Sequence, residues 1–118
     1  MFELMTEDTF SSAHALRGYS GPCENLHGHT WKVQVYLKGD KLNKIGIMID
    51  FKEVKAKLKK IIDKFDHQNL NDLPEFKDKN PSCEIIAKLI YETLKKDIKE
   101  LTKVTVFESE KTSASYFI

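Results

Sequence analysis

The run Cys23-Glu24-Asn25-Leu26-His27-Gly28-His29 places a thiol, a carboxylate and two imidazoles side by side. A third imidazole, His14, stands upstream in Phe10-Ser11-Ser12-Ala13-His14, and the fourth and last, His67, follows Asp66. Two histidines spaced i, i+2 on a strand project to the same side, and a neighbouring strand can supply a third. Three neutral imidazoles suit zinc. Three protein ligands also leave a fourth position open, as catalytic rather than structural zinc sites do.

Three other groups carry chemistry with more than one reading. Cys23 is either a further metal ligand or a reactive thiol beside the metal, and its place between Pro22 and Glu24 favours exposure. Asp66-His67 offers a general base with a carboxylate to orient it. It also fits a histidine that complements the dipole at a helix C-terminus. Glu108 ends an apolar strand, where a carboxylate is costly if buried alone; it therefore lies in water or waits for paired N–H donors. Cys83, at a helix start, reads as a small buried residue.

The elements that must position these groups follow from periodicity. Phe2 and Leu4, then Phe10, Ser12 and His14, mark a first strand. Gly18 to Pro22 form a loop that delivers Cys23. From His27 the alternation is strong: Trp31, Val33, Val35 and Leu37 share one face, which His27 and His29 join if the strand starts that early. A turn around Gly39-Asp40 is expected to close this first pair of strands. Asp50 is then an N-cap candidate, with Glu53 three residues on in a carboxylate variant of the capping box. Phe51, Val54, Leu58, Ile61, Ile62 and Phe65 trace a helix that ends near Phe65. Asn80-Pro81-Ser82 starts a second helix with its stripe at Ile85, Ile86, Leu89, Ile90 and Leu94. Strands at Val104–Glu108 and Thr112–Ile118, joined by a polar turn around Glu110-Lys111, close a ββααββ order. This is a single α+β domain over residues 1–118.

Composition narrows the partners. The chain has 118 residues and a net charge of +1, so no global field calls for nucleic acid or an anionic membrane. No apolar run nears the roughly 18 residues of a membrane span, and the N-terminus lacks the pattern of a signal peptide. Two cysteines in unlike contexts do not make a disulfide scaffold. The expectation is a cytoplasmic protein with free thiols.

Taken together, Phe10-Ser11-Ser12-Ala13-His14, Cys23-x-x-x-His27-Gly28-His29, Asp50-Phe51, Asp66-His67-x-x-Leu70-Asn71, Asn80-Pro81-Ser82-x-Glu84 and Glu108 resemble the 6-pyruvoyltetrahydropterin synthase / 6-carboxytetrahydropterin synthase family. The resemblance runs in order through essentially the whole chain. It implies the tunnelling fold (T-fold), an antiparallel sheet with two helices on one face whose sheets join into an oligomeric barrel. The implied assembly is a homohexamer, a dimer of trimers, with sites at subunit interfaces. The resemblance also implies one zinc per chain on His14, His27 and His29, and proton transfer by Cys23, Asp66 and His67. Glu108 would grip the amino-pyrimidine edge of a pterin and share in the relay. Ser82 and Glu84 would add polar contacts to the pterin.

The implied substrate is 7,8-dihydroneopterin triphosphate. The short chain and tight loops resemble the enzymes that make 6-carboxy-5,6,7,8-tetrahydropterin, with loss of acetaldehyde and triphosphate, for queuosine and other 7-deazaguanines. Retention of a pyruvoyl side chain is the alternative within the family. Glu24-x-x-His27-Gly28-His29 also fits a variant in which a glutamate takes the cysteine's place and dihydroneopterin is cleaved to 6-hydroxymethyl-dihydropterin for folate, so Glu24 keeps that activity open. A non-catalytic, zinc-stabilised oligomeric module with Cys23 as fourth ligand is the reading of another class.

Overall fold

A computed structural model describes the whole chain, Met1–Ile118. Four strands form one sheet in the order β1-β2-β3-β4, every neighbour antiparallel: β1 Phe2–His14, β2 His27–Gly39, β3 Leu101–Phe107 and β4 Ser113–Phe117. Between β2 and β3 the chain makes two helices, α1 Phe51–Phe65 and α2 Cys83–Lys95. Helix α1 lies over β1 and α2 over β3 and β4, so both helices cover one face. No helix is long and apolar enough to cross a membrane.

The expected ββααββ order and the helix-covered sheet are what the chain forms, but the first hairpin closes at the other end. His14 pairs with His27, while Gly39 pairs with Phe2 at the far end of the ladder. The turn at Gly39-Asp40 therefore leads out of the sheet towards α1. Alternation of side chains reports which face a residue takes and says nothing about which strand end carries the connection. β3 also starts earlier than its apolar run, at Leu101, and a register shift between Tyr36 and Leu37 accommodates the extra residues.

The core is the period-two stripe of β2 pressed against the period-3.6 stripes of the helices. Trp31, Val33, Val35 and Leu37 meet Val54, Leu58, Ile62 and Phe65 of α1 and Ile86, Ile90 and Leu94 of α2, all essentially buried. Phe10 stacks on Trp31 with ring centroids 5.7 Å apart and planes 4° from parallel. Both helix starts are capped by side chains. Asp50 accepts from the Lys52 N–H at 2.9 Å rather than from the amide of Glu53, and Ser82 accepts from the Ile85 N–H at 3.2 Å. Leu70 and Phe76, in the connection between the helices, are also fully buried in short 3-10 turns.

Ile90 has no exposed surface. Ile90→Ala is expected to cost about 2–5 kcal/mol of stability through lost contact and a residual cavity, read as a lower urea midpoint at unchanged slope.

Candidate metal centre and surrounding site

The register of the first hairpin builds the site. His14 lies opposite His27, and Ser12 lies opposite His29. Because side chains alternate, His14 from β1 and His27 and His29 from β2 continue the face that buries Phe10 and Trp31. Their ligand atoms all lie within 4.8 Å of one another. The indole of Trp31 meets the rings of His14 and His29 edge-on at 4.7 and 5.3 Å, giving the cluster an apolar floor.

The tautomers follow from what each Nδ1 touches. Nδ1 of His14 lies 2.7 Å from the Pro81 carbonyl oxygen, and Nδ1 of His27 lies 2.7 Å from that of Asn25. A carbonyl can only accept, so both Nδ1 atoms carry the proton and each Nε2 keeps its lone pair. Metal-ligating histidines are commonly fixed in this way by a second partner. The Nε2 atoms of His14 and His29 are buried without any protein partner. Such orphaned polar atoms are rare. On converging imidazoles they form a donor set that a metal ion satisfies, so the residues fit zinc. Burial, above all, holds both His14 and His29 below the ordinary imidazole range, which keeps them neutral.

Glu108, one residue past β3, faces the cluster. Its Oε2 lies 3.7 Å from Nε2 of His14 and its Oε1 lies 4.0 Å from Nε2 of His29, beyond hydrogen-bond length. Its side chain remains 31% exposed, so the carboxylate lies between the imidazoles and solvent. Cys83 lies beneath it. Burial, with the Glu108 and Glu84 carboxylates adding to it, pushes that thiol up to about 12, as suits an inert packed residue.

Asp66 and His67 reach the site by a different route. After α1 the chain runs back along the free edge of β1. His67 N–H donates to Ser11 O at 2.6 Å, and Ala13 N–H donates to Gln68 O at 3.0 Å. Oδ1 of Asp66 accepts from Ser11 N–H at 2.8 Å and lies 3.1 Å from Nδ1 of His67. The Ser11 N–H is the main reason the Asp66 carboxyl sits below the usual carboxylate range. His67 itself has φ 57°, the one residue other than glycine at positive φ. Its ring is 83% exposed and pairs with Asp66, not with Cys23.

Cys23 lies in a 3-10 turn, Pro22–Glu24, and is partly exposed. Its carbonyl accepts from Leu16 N–H at 2.8 Å, but its thiol stands outside the histidine cluster. The three expected substrate contacts occupy different settings. Ser82 spends its hydroxyl on the cap of α2, while Glu84, in the first turn of α2, and Glu24 are exposed.

Several residues that hold the site together were not singled out by residue type. The Asn71 amide accepts from Ala15 N–H and donates to Ala15 O, at 2.8 and 2.9 Å. Asn80 does the same with Arg17, at 2.8 and 3.0 Å. The Arg17 guanidinium donates to the carbonyls of Asn71, Phe76 and Lys79. The loop after His14 is thus tied down by side chains that imitate a missing strand partner. The polar positions were visible in the motifs; the carbonyls of Pro81 and Asn25 had no residue-type signal at all.

A four-stranded antiparallel sheet under two helices, with three converging imidazoles at the closed end of its first hairpin, defines an α+β protein with a candidate metal centre of the open, three-ligand kind. The 6-pyruvoyl tetrahydropterin synthase family matches residues 3–117, and the chain belongs to it. The 6-carboxy-5,6,7,8-tetrahydropterin synthase of Haemophilus influenzae is 46% identical over 77 residues, which span 61% of this chain and 54% of that relative. That of Bacillus subtilis is 34% identical over 127 aligned positions, covering 99% of this chain and 84% of its own length. The structure of Caenorhabditis elegans 6-pyruvoyl tetrahydropterin synthase superposes with a TM-score of 0.90 at 29% identity, over 99% of this chain and 95% of that one.

Protons compete with a metal for these imidazoles. Because His14 and His29 are lowered in the folded chain, the unfolded chain binds protons there first as pH falls. Metal-free stability should therefore decline as pH drops below about 6.5, the unfolded histidine value, and level off once the lowered folded values are passed. Zinc affinity should fall over the same range. Urea titrations and zinc-binding isotherms between about pH 5 and 8 check both trends; a flat metal-free profile there would contradict the neutral, buried imidazoles.

Proposed function

We propose that the chain is a zinc-dependent lyase that converts 7,8-dihydroneopterin triphosphate to 6-carboxy-5,6,7,8-tetrahydropterin with loss of acetaldehyde and triphosphate, the chemistry that feeds queuosine and related 7-deazaguanines. The observation that carries this reading is the division of the reactive groups. Three imidazole donors converge, while Cys23 and the Asp66–His67 pair lie outside the donor set and stay accessible. The names of the bacterial relatives support the 6-carboxy product.

His14, His27 and His29 would hold the zinc, one ion per chain, and when bound it would supply Lewis-acid polarisation of substrate oxygens. The remaining roles fall to the chain's own groups. Cys23 takes and returns protons at the substrate side chain as a thiol/thiolate couple. His67 moves protons at Nε2, because its Nδ1 faces Asp66. The Ser11 N–H keeps Asp66 ionised, so that its carboxylate orients the ring and stabilises the imidazolium. Glu108 offers two oxygens to the paired N–H groups of an aminopyrimidine. Ser82 and Glu84 stand at the mouth of α2 for weaker polar contacts.

Within one chain the His67 ring turns to solvent, and β1 and β4 are the two edges of the sheet. Both features support a site completed between subunits, in a barrel of joined sheets assembled as a homohexamer. The chain's charge balance and lack of a spanning helix fit a cytoplasmic enzyme with a small-molecule substrate.

A second reading within the family rests on the turn Pro22–Glu24, where Cys23 and Glu24 are adjacent and both accessible. Glu24 could serve as the acid/base group for cleavage of dihydroneopterin to 6-hydroxymethyl-dihydropterin. The non-catalytic module is weakened because Cys23 does not join the donor set.

Incubation with dihydroneopterin triphosphate, and separately with dihydroneopterin, followed by mass spectrometry of products tests the reading. Acetaldehyde with 6-carboxytetrahydropterin is expected from the first substrate. Release of 6-hydroxymethyl-dihydropterin alone would replace it with the second reading. Cys23→Ala should keep its zinc and lose turnover by roughly a hundredfold or more, the scale of an acid/base group; loss of zinc instead would make Cys23 a ligand.

A further inference from the structure

Among the groups assigned a chemical role above, His67 is the one whose backbone stands at positive φ. His67 holds a backbone conformation that a bulky side chain rarely adopts, and such conformations persist only when their surroundings impose them. The ring cannot impose it, being 83% exposed. The restraint must come from the chain on either side.

That restraint converges on Ser12. Ser12 is 7% exposed, lies on the helix-covered face of β1 and carries the only hydroxyl there that reaches the end of α1. Its Oγ donates to the carbonyl of Phe65, the last residue of α1, and accepts from Gln68 N–H at 3.4 Å. One hydroxyl thus joins the residue before Asp66 to the residue after His67. Its own backbone is fixed, because its carbonyl accepts from the Trp31 indole N–H at 3.1 Å. Ser11 O and the Ala13 N–H make the neighbouring links, to His67 N–H and Gln68 O. Those neighbouring links use backbone groups that any residue would offer. Beside the Asp66 carboxylate on the Ser11 N–H, the Ser12 hydroxyl is the part of the restraint that depends on side-chain identity.

We propose that Ser12 is a positioning residue for His67: its buried hydroxyl latches both ends of the Asp66-His67 dipeptide and so fixes the left-handed turn that aims the imidazole. The proposal rests on His67 acting as the proton-transfer group. A valine at position 12 would remove both hydrogen bonds, leaving the Phe65 carbonyl and Gln68 N–H without their buried partner. The dipeptide would then sample other turns. Misplacement of a reacting group by about an ångström costs on the order of a hundredfold in rate.

The test compares Ser12→Thr with Ser12→Val, which match in shape and differ in the hydroxyl. Ser12→Val is expected to lower kcat by roughly tenfold to a hundredfold with KM within about twofold, while Ser12→Thr retains most of the rate. Zinc content should be equal in the two. Amide hydrogen exchange gives a readout independent of turnover. Exchange at His67 and Gln68 should quicken in Ser12→Val but not in Ser12→Thr, with α1 unchanged. Equal rates and equal exchange in the two variants would overturn the latch, as would a deficit in Ser12→Val that is wholly a loss of zinc. His67→Ala separates the two readings. If it retains turnover, His67 is not the proton-transfer group, and faster exchange at position 67 in Ser12→Val then still establishes the latch as a structural restraint.

Discussion

The antiparallel register that sets His14 opposite His27 is the constraint on which the site depends. A slip of one residue in that ladder would turn the imidazoles of one strand to the other side of the sheet and dissolve the donor set. Nothing local to the histidines enforces the pairing. It is enforced by the pattern further along, where Phe10 stacks on Trp31 and Val33, Val35 and Leu37 disappear beneath the helices. A shifted register would put those side chains in water, and burying each is worth about 1.5–3 kcal/mol. The core therefore sets the geometry of the three imidazoles at a distance.

The same strand carries a second line of support. The free edge of β1 at Ser11 and Ala13 receives the chain that follows α1, and the Ser11 N–H fixes the carboxylate that pairs with His67. Strand β1 thus presents the His14 imidazole from its helix-covered face and anchors the Asp66–His67 pair along its edge. Residues far apart in sequence are held by one rigid element, which is how a site keeps its dimensions. The loop after His14 is treated alike, with Asn71 and Asn80 each closing a two-bond clasp on its backbone.

Much of this was legible from residue types. Alternation from His27 to Leu37 gave the face shared by His27, His29 and Trp31, and helical spacing from Phe51 to Phe65 placed Asp66-His67 just past a helix end. The hairpin closure is not legible, because Gly39-Asp40 is a good turn sequence at the wrong end of the strand. Cys23 is ambiguous in the sequence because spacing alone cannot tell a ligand from a neighbour; in the fold its thiol lies outside the cluster of three imidazoles. Backbone partners were invisible in principle. The Pro81 carbonyl that fixes the tautomer of His14 would be there whatever residue stood at position 81. The hydroxyl of Ser12 is visible as a letter, but its two partners lie at the end of α1 and just past it, more than fifty residues on.

The sheet's open edges have a consequence of their own. With four strands alternating in direction, β1 and β4 run opposite ways. Copies laid side by side can continue the alternation without ever creating a parallel pair, and an odd strand count would forbid this. The return segment from α1 already occupies β1 at Ser11 and Ala13, so only the earlier part of that strand is free to receive another. β4, Ser113–Phe117, is short enough to fit there. The segment that carries His67 would thus also be a stop, limiting how far a neighbouring strand could slide along β1.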